Sequence, residues 1–151
     1  MIGRYWAVLV PVMLATMPVQ AAEWNQAGSL PEYGVSVFVD DTSLSVDHDV
    51  IVRGWVRFVY DQPREVDGRM LAGHDSLRMA DCRTRRYWVV EGWGRLPGDD
   101  ASPVRLYSSA QEWQVPAPDS ESEIAVQALC SEARSWLGVA WDKLKGALGS
   151  D

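Results

Sequence analysis

The eleven residues Val50–Tyr60 read VIVRGWVRFVY, and they decide the fold. β-branched and aromatic side chains fill the stretch, and they alternate with arginines, which is the period-2 signature of a half-buried strand. Val50, Val52, Val56, Phe58 and Tyr60 fall on one side and define a core face. Arg53, Trp55 and Arg57 fall on the other, a wet face with an aromatic in it.

Upstream, YGVSVFVDDTSL repeats the alternation, with Val35, Val37 and Val39 on one side. Downstream, Asp61–Asp75 holds Pro63, Gly68 and Gly73 and reads as a connecting loop. Ser76–Arg95 gives one long strand or two consecutive ones, LPGDDASP a turn, and Val104–Val115 another strand, bulged. Prolines 116 and 118 cannot donate ladder hydrogen bonds and end the sheet region. The period then changes. Ser120 and Glu123 fit a capping box. Val126, Leu129, Cys130, Ala133, Leu137, Ala140, Trp141, Leu144 and Leu148 then follow one face of an amphipathic helix. Strands followed by a helix give an α+β class with about five or six strands.

At the other end, Arg4, an apolar run from about Trp6 to Leu14, and Val19 and Ala21 at the −3 and −1 spacing make residues 1–22 a cleavable secretory signal. No cysteine lies near the cut, so no lipid anchor is expected. The full chain carries a net charge of −7. Removing residues 1–22 takes away Arg4 alone, leaving 13 basic and 21 acidic residues and a charge of −8. Such a field repels nucleic acid and anionic membrane. About 129 residues remain, enough for one domain and too few for two.

Only two cysteines are present, Cys82 and Cys130. An oxidising compartment favours pairing over free thiols, and two cysteines allow one intramolecular connectivity. A nucleophilic Cys82 would use its neighbouring arginines to lower its pKa, but neither His48 nor His74 is spaced as its base. Cys130 sits in the apolar stripe of the helix, where a disulfide pinning helix to sheet needs it. The remaining chemistry is thin. Two histidines do not make a zinc site, and Asp47–Asp49 lacks the glycine-punctuated loop of a calcium site. The carboxylate pairs Asp40–Asp41 and Asp99–Asp100 point apart along turns or strands. No cofactor fingerprint is present, and nothing argues for an enzyme.

Several landmarks together resemble the surface-adhesin protein E-like domain of bacteria. They are DDTSL (Asp40–Leu44), the Trp55-Val56-Arg57 strand, DCRTRRY (Asp81–Tyr87), and W-x-V-P-x-P-x-S-x-x-E from Trp113 to Glu123 with Cys130 seven residues on. The resemblance covers residues 33–132. It leaves 23–32 as a flexible lead-in and 133–151 as a helix extension. It implies an antiparallel sheet with a C-terminal helix packed on one face and tethered by Cys82–Cys130. It also implies a binding role towards host matrix or serum proteins.

If Cys82 faces the helix, alternation sends Arg83, Arg85 and Tyr87 to the opposite face, beside Arg53, Trp55 and Arg57. These six form a candidate site for a host protein or an acidic glycan, since Arg and Trp are enriched in binding hot spots. Pairing of the arginines with carboxylates such as Glu91, or a homodimer packing this face, are the competing uses of the same residues. Trp136, Leu137, Trp141, Leu144 and Leu148 either continue over the sheet or overhang it. Flanked by Lys143 and Lys145, they make a weak membrane anchor at best. The expected place of action is the periplasm or cell surface of a Gram-negative bacterium, with a periplasmic accessory role through self-association as the alternative.

Overall fold

The computed structural model describes residues 22–47, 50–66, 68–107, 112–132 and 135. The signal segment, Asp49 and the stripe from Trp136 to Leu148 lie outside these residues. Seven antiparallel strands form one sheet: β1 Trp24–Leu30, β2 Val35–Asp40, β3 Ser45–Asp47, β4 Ile51–Val66, β5 Arg69–Asp81, β6 Arg86–Leu96 and β7 Asp99–Tyr107. The order is β1-β2-β4-β5-β6-β7. β3 pairs with β4 at Ile51–Arg53, while β2 pairs with the same strand at Val56–Tyr60. Helix α1 covers residues 121–132 and packs on one face.

The α+β expectation holds, and the alternation from Val52 to Tyr60 places its residues as expected, while Val50 lies half-buried in the turn before β4. Val52, Val56, Phe58 and Tyr60 are buried with Val35, Val37 and Val39 beneath Ala125, Val126, Leu129 and Cys130 of α1. Aliphatic side chains of this size on both surfaces let sheet and helix meet without voids. Gly54 lies on the same side, and a Cβ there would stand 3.0 Å from Leu129 and 2.7 Å from Leu44. Its bare backbone is the seat for the helix.

Two local expectations are corrected. Residues 23–32 are not a loose lead-in, because Trp24–Leu30 pairs along β2 as an edge strand. Asp61–Asp75 is not a loop either. β4 and β5 run through it as the two arms of one long hairpin, with Gly68 at the turn at a φ of 74°. Pro63 is tolerated because the ladder slips between Val59 and Arg64, where no donor is required of it. Gly73 marks a close approach of the two arms, since a Cβ there would overlap the Phe58 carbonyl oxygen. Gly73→Ala therefore has to push β5 off β4. A loss of about 2 kcal/mol is expected, read from the midpoint of urea unfolding; an unchanged midpoint would refute the close approach.

A cluster of buried polar side chains, Arg78, Ser76 and His74, breaks the apolar core. Arg78 is 4% exposed, with its guanidinium 4.5 Å from the Phe58 ring centre and 5.0 Å from that of Tyr87. It donates to Ser76 Oγ at 3.0 Å and to Ser122 Oγ, on the first turn of α1, at 3.1 Å. His74 stacks on Phe58 at 4.4 Å and lies 2.8 Å through Nδ1 from the Tyr60 hydroxyl. Burial, helped by the nearby Arg78 charge, pushes the His74 pKa down to about 3.

Candidate ligand-binding face

The DDTSL turn organises the site. Asp40 Oδ1 accepts from Thr42 N at 3.0 Å, Thr42 Oγ1 at 2.6 Å and Glu23 N at 3.2 Å, closing a 3-10 turn over Asp41–Ser43 and anchoring the start of β1. Ser43 Oγ donates to the Asp40 carbonyl at 2.7 Å and accepts from Trp55 N at 2.9 Å. The turn interrupts the edge of β4 between β2 and β3, and Ser43 satisfies the donor exposed there.

Arg53, Trp55 and Arg57 do share the face away from α1, as alternation requires. The register sets Arg53 against Met79, Trp55 against Leu77 and Arg57 against Asp75. Arg57 binds Asp75 bidentately, Nε to Oδ1 and Nη2 to Oδ2, both at 2.8 Å. Its guanidinium also lies 4.1 Å from the Trp24 ring centre. The carboxylate partner is thus Asp75. Glu91 instead accepts from Trp93 Nε1 at 3.0 Å.

The other three candidates do not join them. Cys82–Arg85 is a turn, not strand, so the alternation counted from Cys82 is reset. Asp81 Oδ1 makes the turn by accepting from Arg83 N at 2.9 Å and Thr84 N at 3.1 Å, and Arg85 adopts a left-handed φ of 55°. Arg83 and Arg85 are exposed at the end of the sheet, and Arg85 lines a cleft beside Glu123 and Gln127 of α1. Tyr87 is 9% exposed in the core, opposite Ala80, and Trp88 takes the outward position opposite Met79. The cysteine expectation is met: Cys82 and Cys130 form a disulfide with Cα atoms 5.5 Å apart.

The outer face holds more than its sequence announced. Trp24 pairs with Asp40 and Trp93 with Asp75, which puts both on this side. Trp113 packs against Trp88 with ring centres 4.6 Å apart. All five described tryptophans, at 24, 55, 88, 93 and 113, are therefore on the side turned from the helix, each half-buried. The core behind them is built from valine, leucine and alanine with Phe58 and Tyr60. Exposed Arg105 reaches to 5.9 Å from the Trp93 ring centre. Trp24 was hidden in the supposed lead-in and Asp75 in the supposed loop. Trp93 stood in plain view between Gly92 and Gly94, an outward aromatic flanked by residues without side chains.

Among the described residues no group of three or more histidines, cysteines and carboxylates could hold a metal ion, and no helix is long and apolar enough to cross a membrane. A search of curated proteins finds no match to the chain. A family comparison does, under the description surface-adhesin protein E, over residues 24–131. That span opens on the first residue of β1 and closes inside α1, one residue past the tethering cysteine. The sheet, the disulfide and the tryptophan face all fall within it, and the chain belongs to the surface-adhesin protein E family.

Proposed function

We propose that this protein is an exported, non-catalytic, adhesin-like binding module of the bacterial envelope, working at the periplasm or cell surface. Its ligand docks on the outer face of the sheet. The observation that carries the reading is the placement of the five described tryptophans on the face turned from the helix, in a fold whose described core needs none of them. Tryptophan at a half-buried position offers a large apolar area at little cost in conformational freedom, which is why it dominates binding hot spots. Arg53 and Arg105, both exposed, give this face a local positive rim on an acidic chain and favour a partner with surface carboxylates. The family description supports the same reading.

The test is retention of matrix and serum proteins by the immobilised exported protein. Arg53→Glu combined with Trp55→Ala is expected to weaken the retained partner at least tenfold, a loss of about 1.4 kcal/mol or more, while the melting temperature moves little. A double variant that binds as well as the wild type would refute the outer face, and protection of the protein from protease added to intact cells would refute host contact.

A further inference from the structure

A groove of about 410 Å³ opens on the outer face between Trp24, Trp55 and Trp93, lined also by Pro103 and by the carboxylates of Asp40 and Asp75. From its chemistry we infer that it is a subsite for one neutral sugar ring of a glycan. The inference rests on the proposed use of the outer face and names the ligand class for one part of it.

Three aromatic walls suit a ring that presents flat patches of C–H, and the volume lies in the range of small-ligand sites. The polar lining selects among flat ligands. An anion would meet two carboxylates. A cation would compete with the Arg57 guanidinium, which already occupies the face of Trp24 at 4.1 Å and neutralises Asp75. The Asp75 oxygens each retain acceptor capacity after taking one Arg57 donor, and the two side chains are 19% and 29% exposed. Carboxylate acceptors beside aromatic walls fit the hydroxyl groups of a sugar, and Arg57, which does not itself line the groove, holds Asp75 in place. The pair is also pre-organised, because its two bonds fix both side chains before any ligand arrives.

The experiment applies the exported protein to an array of neutral hexose-terminated host glycans, sialylated or sulfated glycans, and bacterial cell-wall fragments. Saturation-transfer NMR with the best free glycan runs alongside. Neutral glycans are expected to bind in the host or the cell-wall arm, and that arm names the source. Trp93→Ala should weaken binding at least tenfold and Trp93→Tyr should restore most of it. Arg69→Glu, exposed at the start of β5 and outside the groove and the proposed binding residues, should change it less than twofold. Binding of acidic glycans alone overturns the subsite, as does displacement of the sugar by tetramethylammonium. The absence of any wild-type array or NMR signal overturns it too, whether or not the variants fold. If protein ligands are still held in that case, the outer-face reading stands and only the sugar subsite falls; if neither sugar nor protein binds, both fall.

Discussion

Replacing Cys82 and Cys130 together by alanine is expected to lower the unfolding free energy by about 4 kcal/mol. The bridge spans 48 residues of sequence, from the β5–β6 turn to the last described turn of α1, so the unfolded chain loses a large closed loop when it forms. The helix has few other covalent or local ties to the sheet. Its first turn is held by Ser120, whose hydroxyl accepts from Glu123 N at 3.2 Å, and by Ser122 on Arg78. Beyond that it depends on burial of Ala125, Val126 and Leu129. In a domain of this size 4 kcal/mol is a large part of the total. Urea unfolding of the oxidised protein and the double variant measures the difference, and far-UV dichroism should show helix signal lost before sheet signal in the variant. A difference under about 1 kcal/mol would show that packing alone holds the helix.

Acid should weaken the fold through His74, by about 3 kcal/mol between pH 7.5 and pH 4. In the unfolded chain this imidazole takes its proton near the model value of 6.5, whereas in the fold it does so only at about 3. Above pH 6.5 it is neutral in both states and costs nothing. As the pH falls below that value only the unfolded chain gains a proton, so stability drops with each unit until the folded pKa is reached. His74→Phe keeps a ring on Phe58 and removes the titration. Its unfolding free energy should change less over the same range, with the gap between variant and wild type closing as the pH falls. Parallel pH dependences for the two proteins would rule out His74 as the sensitive group.

The strand at Val50–Tyr60 was legible because its branched side chains alternate strictly with polar ones, and a buried face leaves only one register open. The hairpin over residues 61–75 was not, because three residues of types that usually break strands each have a special place in it. Pro63 sits where the ladder slips, Gly68 turns the chain, and Gly73 lets two backbones touch. Asp67-Gly68 is itself a strong hairpin signal, outweighed in the sequence by the proline before it. The candidate site divided along the same line. Arg53, Trp55 and Arg57 lie on unbroken strand, so counting by two placed them correctly. Arg83 and Arg85 lie in a side-chain-capped turn and Tyr87 follows it, and a count carried across a turn loses its phase. Asp75 and Trp93 come to Arg57 and Trp55 only through strand pairing, which no local pattern encodes.

The segregation of tryptophan to the outer face has a spectroscopic consequence. Indole emission responds to polarity and quenchers within its immediate surroundings, and none of the five described indoles sits in the hydrophobic interior. Light from these rings therefore reports the wet side of the sheet. Titrating a ligand onto that side should shift their emission directly, whereas a cavity cut beneath the helix at Leu129 should leave the emission of these five rings nearly unchanged.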